Sequence, residues 1–434
     1  MELSFRSWDT NLKVRFFGEA LFHMLFWMYF PFITVYFGMT LGHSAAGLLM
    51  TIPPIFAMIG SLLGGAVADR RGRRPAMLLG AALQAAMFVA FAASWSPWID
   101  YAAFIGLGFG GAVYRPASSA MVADLVPADD RRRMFAAFAT ANNVGAVLGP
   151  VVGAVLFFRY RDELLWTCAV VSLLYTLAIY RFVRETMPSG PATPERTKSF
   201  LSDLREQWRS YGIILKDKVF FVYILAGIFA LVTIMQLDLY LSVYISQHVP
   251  AQSVFGGSEE RFVLSGTDAF GWLVGFNGLL FVLFVLPVTK WLRRWKDRNV
   301  FILSSLLSGV GTFAVGWRSE LWYLLVVTLV FTFGEIVRSP VSQSFISRYA
   351  PEHARGQYMG ADGLQYTIGK FIAPTTVFMS AWVPPRGIFL LILASALASV
   401  ALYAQLFRLE AARRADFGEV DASATQRSAY PADG

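Results

Sequence analysis

The sequence predicts an all-α integral membrane protein with twelve transmembrane helices in two pseudo-symmetric six-helix bundles. Three observations lead there. Of 434 residues, 56% are hydrophobic, 15% aromatic and only 15% charged, with a mean hydropathy of +0.52, whereas a soluble domain carries about 25% charged residues. The apolar residues gather into runs of about 20, the length a helix needs to cross about 30 Å of hydrocarbon. Finally, the chain matches itself at a displacement of 224 residues.

Twelve runs meet the length requirement, at residues 15–38, 43–68, 76–96, 99–126, 134–158, 163–184, 217–247, 266–291, 299–317, 320–348, 355–382 and 385–408. The first carries no signal-peptide cleavage pattern and exceeds the length of an h-region, so it is expected to be a retained span. Residues 1–184 then form an N-terminal bundle and 217–408 a C-terminal one. The linker 185–216 opens with the turn-rich MPSGPATPERTKS and continues FLSDLREQWRSYGIIL, where Phe200, Leu204, Trp208, Tyr211 and Leu215 recur at three or four. That spacing predicts an amphipathic helix lying in the cytoplasmic interface. The polar tail 409–434 is expected to be disordered.

Lysine and arginine set the orientation. Both ends and the even-numbered loops hold 29 of the 37 basic residues, and the opposite side has only Arg159, Arg161, Arg261, Arg318 and Arg386. Both termini are therefore expected in the cytoplasm, with the chain in the plasma membrane. The net charge of +8 reads as this bias meeting an anionic leaflet, not as nucleic-acid binding. A single cysteine, Cys168, excludes an internal disulfide and a Cys-based metal site.

At the displacement of 224, Gly110 falls on Gly334, Pro116 on Pro340, Pro127 on Pro351, Arg131 on Arg355, Gly145 on Gly369 and Pro150 on Pro374. All lie in the fourth and fifth spans of one half and the tenth and eleventh of the other. Two copies of a six-helix unit in the same orientation place a substrate site near the midplane between them and alternate access by rocking.

The loop between the second and third spans reads GGAVADRRGRRPAML, Gly64 to Leu78. It resembles the loop signature G-x-L-A-D-R-x-G-R-R/K-P of the major facilitator superfamily, with Gly65, Asp69, Arg70, Gly72, Arg73, Arg74 and Pro75 in register. Asp69 is expected to accept hydrogen bonds from helix N-terminal amides and a neighbouring arginine, a cytoplasmic charge clamp that breaks as the halves rock. In the fifth span Gly145, Gly149, Pro150 and Gly153 follow G-x-x-x-G-P-x-x-G, which resembles the fifth-helix motif of antiporters in that superfamily. The same spacing also serves as a plain small-residue packing face.

Charges within spans mark a pathway by default, because each costs several kcal/mol. The candidates are Glu19, His23, Arg115, Asp124, Asp238, Glu335, Arg338, Asp362 and Lys370. Glu335 is the sharpest: its repeat partner is Gly111, and Arg338, three residues on, shares its helical face. A carboxyl alternating between a basic neighbour and an apolar surround can load and release a proton. Asp238 has no basic residue within a turn and is a second protonation candidate. Asp124 is either a proton site or part of the clamp. Glu19 and His23, at i and i+4, form a self-satisfied pair or a functional one. Arg115 and Lys370 are counter-ions to the carboxyls or snorkel, and the helix N-terminal dipole suffices for Asp362. Dense aromatics in the first span, from Phe22 to Phe32, and Tyr240 and Tyr244 in the seventh either line a cavity for apolar cations or supply interfacial bulk.

The charges, the loop signature and GEIVRSP together resemble the LmrP-type drug and proton antiporters of the superfamily. The resemblance implies Asp69 for the clamp, Asp238 and Glu335 for protons and cations, and Asp124 as the acid closing the fourth span. The family's acid in the fifth span is replaced by an apolar stretch around Phe138, and Phe104 stands where related exporters have an arginine. The expected function is proton-coupled efflux of amphipathic, cationic compounds by a monomer that touches only substrate, protons and lipid and needs no cofactor. The alternative is proton-linked transport of one nutrient, lipid or metabolite. An enzyme is not expected: His23, His43, His248 and His353 are scattered, and neither HExxH nor a nucleotide-binding GxxxxGK[ST] occurs.

Overall fold

The computed structural model describes residues 8–187, 217–253, 263–292, 294–350 and 355–428. The expected linker helix at 200–215 lies outside them. Helix α1, Thr10–Leu41, starts where the Asp9 carboxylate accepts from the Asn11 amide at 2.8 Å. Helix α2 spans His43–Arg71 in two pieces, His43–Leu49 and Pro53–Arg71, because Pro53 and Pro54 supply no amide to the preceding turn. Gly72, at φ 111°, takes the left-handed turn into α3, Arg73–Ala93. Helix α4, Pro97–Leu125, is capped by Ser96. Helices α5, Ala128–Leu156, and α6, Arg161–Phe182, complete the first half.

The second half begins with α7, Lys218–His248, interrupted by a π-helical turn at Leu237–Leu241. Two short antiparallel strands, β1 (Gln252–Ser253) and β2 (Val263–Leu264), join it to α8, Gly266–Leu292. Then come α9, Asp297–Trp317, and α10, Leu321–Tyr349. Helix α11 consists of Arg355–Ile372 and Thr375–Met379, broken at Pro374, and α12 is Pro385–Ser428. The tail is thus helical to Ser428 rather than disordered. Its Glu410, Ala411, Ala412, Arg413, Arg414 and Ala415 are strong helix formers that extend the span without a stop signal.

Nine of the described elements, α1–α3, α6–α10 and α12, are long and apolar enough to cross a membrane. The others, α4, α5 and α11, carry the small and polar residues that let backbones approach. The two halves repeat the same packing: α1 on α5 as α7 on α11, α2 on α4 as α8 on α10, α3 on α4 and α6 as α9 on α10 and α12. Glycines at the 224-residue displacement do the same work. A Cβ at Gly110 would lie 2.9 Å from the Gly80 carbonyl of α3, and one at Gly334 2.8 Å from the Ser304 carbonyl of α9. Likewise Gly145 meets α1 and Gly369 meets α7.

The halves meet on the side away from the basic loops. There Phe32 packs edge-on against Phe270 at 5.8 Å, Gly271 abuts Ala154, and Gly47 lies against the Val377–Phe378 backbone. Thr34 of α1 donates to the Asp238 carbonyl of α7 at 3.0 Å. Toward the basic side the halves separate, although α2 touches α11. A Cβ at Gly65, Gly108 or Gly363 would meet nothing within 4 Å. A vestibule therefore opens between the bundles toward the basic loops.

Candidate functional site

The helix faces define the vestibule. On α11, Gly363, Thr367 and Lys370 are exposed along one strip with Tyr366 at its edge, whereas exposed Ile368, Phe371 and Ile372 form a separate apolar strip suited to lipid. On α4, Gly108, Ala112, Arg115 and Ser119 recur at three or four and are at least partly accessible. The charges of α4, α7, α10 and α11 converge on this space: Tyr366 lies within electrostatic reach of Glu335, Asp238 and Arg115, and Glu335 within reach of Asp238.

Glu335 accepts from the Asn277 amide of α8 at 3.1 Å, and the same nitrogen donates to Thr332 at 2.9 Å. Asp238 stands in the π turn, where the wider helix presents an extra residue to one side. Among the described residues neither carboxylate has an ion-pair partner. In particular, Arg338 does not pair with Glu335 as expected. It turns into its own bundle, 6% exposed, donating to the Tyr403 hydroxyl at 2.6 Å and Gln365 Oε1 at 3.2 Å. Tyr223, in turn, donates to Asp362 at 3.1 Å and meets Ser342 at 2.9 Å. Asp362 is thus held by side chains, Tyr223 and Gln365, and not by a helix dipole.

The N-terminal half has the matching network with its charge inverted. Glu19 pairs with Arg15 at 2.6 Å, not with His23, and accepts from Ser118; Tyr114 meets Tyr175 at 2.6 Å. Ser118 and Tyr114 fall on Ser342 and Arg338 at the repeat displacement. In both halves the first helix holds the serine, and the residue one turn earlier holds a tyrosine of the sixth.

At the basic mouth, Arg73 bridges Asp69 at 2.8 Å and Asp124 at 3.1 Å, so of the two roles expected for Asp124 the geometry fits the clamp. Asp69, 67% exposed, does not take the helix amides. Those of Arg73 and Arg74, at the start of α3, go to Glu185 at 2.8 and 3.1 Å, and Arg74 also donates to the Tyr180 carbonyl at 2.6 Å. The clamp thus ties α2, α3, α4 and the end of α6 within one half. Arg70 and Gly72 flank it. Burial pushes the Glu185 carboxyl up, but the amides of Met187, Arg73, Arg74 and Thr186 outweigh this and hold it below the usual carboxylate range. In the other half, Asp217 accepts from Tyr349 at 2.7 Å, Tyr358 at 3.2 Å and Arg413 at 3.3 Å.

The glycines of α5 face α1. A Cβ at Gly145, Gly149 or Gly153 would lie 2.7, 2.6 and 2.1 Å from Met24 N, Trp27 Cβ and Met28 O, and Pro150 is buried in the same helix. This is the close-packing face that the spacing allows. Aromatics of α1 mostly pack as well: Tyr29 and Phe32 are buried, and Phe26 stacks on Phe30 at 4.6 Å.

Sequence reasoning missed Glu185, Asn277 and a cluster away from the basic side. There the buried Asp100 pairs with Arg161 at 2.9 Å and accepts from Tyr36, while the Arg161 guanidinium lies 4.2 Å from the Tyr36 ring. Asp100 four residues after Ser96 and Arg161 at a helix start were signals of that cluster. Among the described residues no group of three or more His, Cys, Asp or Glu is arranged to hold a metal ion.

Comparison with known proteins agrees with this architecture. The Major Facilitator Superfamily profile matches residues 15–267 and 263–429. A Na(+), Li(+), K(+)/H(+) antiporter of Planococcus maritimus is 38% identical over 420 residues, covering 94% of this chain and 98% of its own. The multidrug resistance protein MdtH of Cronobacter sakazakii is 28% identical over 351 residues, 79% of this chain and 80% of its own. Among solved structures, a POT family transporter in complex with 5-aminolevulinic acid superposes with a TM-score of 0.74 at 17% identity, covering 93% of this chain and 96% of that one, a likeness of fold. With the profile spanning both bundles and a 38% identical relative along nearly the full length, the chain is a multi-pass membrane transporter that belongs to the Major Facilitator Superfamily.

Proposed function

We propose that this chain is a proton-coupled antiporter of the plasma membrane that exports amphipathic, cationic compounds by alternating access. One observation carries this assignment. Glu19, Asp100 and Asp124 each hold an arginine, whereas Glu335 and Asp238 meet the vestibule with no cation among the described residues. An unpaired carboxylate at this depth costs several kcal/mol, and either a proton or a cationic substrate removes the cost. The two therefore compete. With the vestibule open toward the basic, cytoplasmic side, a cation entering from the cytoplasm displaces the proton; after the halves rock, a proton from outside displaces the cation. Glu335, Asp238 and Asn277 all belong to one chain, which fits a monomer in lipid driven by the proton gradient.

The test is Glu335→Gln in everted vesicles. The variant stays in the membrane and loses pH-gradient-driven efflux of a cationic dye such as ethidium; unimpaired efflux removes Glu335 from this role. A second reading, exchange of alkali cations for protons, is favoured by the similarity to the Planococcus maritimus antiporter and by the oxygens of Thr332 and Asn277 beside Glu335. Wild-type vesicles that exchange Na+ for protons but move no dye select it.

A further inference from the structure

Two cations beside the vestibule remain without an ion-pair partner among the described residues. Arg115 belongs to α4 of the first half and Lys370 to α11 of the second; both are exposed although they sit in the interior of membrane-spanning helices. Their exposure is toward the vestibule, because Lys370 shares its strip with Gly363 and Thr367 and not with the apolar strip of α11, and Arg115 shares its strip with Gly108. The two lie within electrostatic reach of each other, and Arg115 also of His23 on α1. No carboxylate neutralises either among the described residues. There the Lys370 ammonium meets the Tyr366 ring at 5.0 Å, and Tyr366 lies within electrostatic reach of Arg115, Glu335 and Asp238.

Two like charges held on opposite halves, unpaired and partly dehydrated, repel each other and favour an anion between them. We propose that Arg115 and Lys370 form an anion subsite facing the Glu335 and Asp238 carboxylates, so that the transported compounds include zwitterions, amphipathic amines that carry a carboxylate. This rests on the antiport reading. The amine of such a compound goes to the carboxylates and its anionic group to the two cations. Guanidinium and ammonium both form charge-assisted hydrogen bonds with a carboxylate. Because each half supplies one cation, the bound anion replaces a repulsion across the vestibule with an attraction from each side. Binding thereby favours the approach of α4 and α11 that closes the basic mouth.

The test uses the full chain in proteoliposomes with an imposed pH gradient and two dyes. Rhodamine 110 carries a free benzoate, and rhodamine 123 is its methyl ester, lacking only the negative charge. Wild type moves both. Arg115→Gln and Lys370→Gln each lower transport of the acid about tenfold relative to the ester, the loss expected for one hydrogen bond to a charged group, and Arg115→Lys and Lys370→Arg restore most of it. Equal loss of both dyes, or loss of neither, overturns the subsite. A wild-type protein that moves the ester or Na+ but never the acid also overturns it and leaves antiport standing. One that moves neither dye and no Na+ overturns both.

Discussion

Replacing Arg338 by methionine separates two roles for this residue, one in the bundle and one beside Glu335. The guanidinium, 6% exposed, donates to Tyr403 at 2.6 Å and Gln365 at 3.2 Å and lies 5.7 Å from the Phe301 ring. Hydrogen bonds from a charged donor contribute about 1.5–3 kcal/mol each, and removing the buried cation returns part of its desolvation cost. Asp362 keeps Tyr223 and Gln365 as donors, so no bare carboxylate is left behind. The net loss is about 3 kcal/mol, at the lower edge of the cost of breaking a buried ion pair. Thermal unfolding of the purified protein in detergent reads this as a fall of several degrees. The fraction that folds keeps the wild-type pH midpoint of dye efflux, because Arg338 points away from Glu335. An unchanged melting temperature together with a displaced pH midpoint would return Arg338 to the vestibule and refute the assignment.

The remaining predictions concern the packing of the first half. Glu185→Ala removes the carboxylate over the start of α3 and lowers stability at pH 7 by about 1 kcal/mol, the usual worth of a helix cap. Because the folded group is held below its ordinary value, its contribution is present above the ordinary glutamate value and lost as pH falls through the folded one. The melting gap between variant and wild type therefore closes below about pH 4; a gap that persists at pH 3 excludes the cap. Gly153→Val puts a side chain where a Cβ already lies 2.1 Å from the Met28 carbonyl, and the forced separation of α5 from α1 costs about 1–3 kcal/mol or more. Folded yield by size exclusion falls; an unchanged yield means that α5 does not lie against α1.

The spans and the repeat were legible because each rests on a local quantity, the length of an apolar run or a residue type at a fixed displacement. Partners of charges were not. Arg338 looked like the companion of Glu335 three residues away, but Tyr403 holds it from 65 residues on, and nothing in the spacing announces a tyrosine at that distance. Glu19 had two local candidates. The first apolar run starts only at residue 15, yet α1 begins at Thr10, which carries Arg15 inside the helix one turn before Glu19, where a full charge outcompetes the His23 ring. Glu185 resembled the start of a polar linker, and its role appears only when α6 brings it over the first amides of α3. Likewise, the split of α2 at Pro53 and of α11 at Pro374 was not legible, since some membrane helices absorb a proline as a bend.

The two halves share a fold but not a charge plan. Ser118 and Ser342 occupy the same place, as do Tyr114 and Arg338, so a buried polar network braces each bundle. In the first half the network closes on itself, with Glu19 neutralised by Arg15. Glu335 has Gly111 as its counterpart, where a Cβ would already lie 3.0 Å from the Gln84 amide nitrogen, so the place of a carboxylate in one half is filled by an amide in the other. On the proposed antiport, the carboxylates that would exchange, Asp238 and Glu335, therefore both sit in the second half, on α7 and α10. In that proposal, rocking changes which side reaches Glu335 and Asp238, with the first half as the wall against which they open and close.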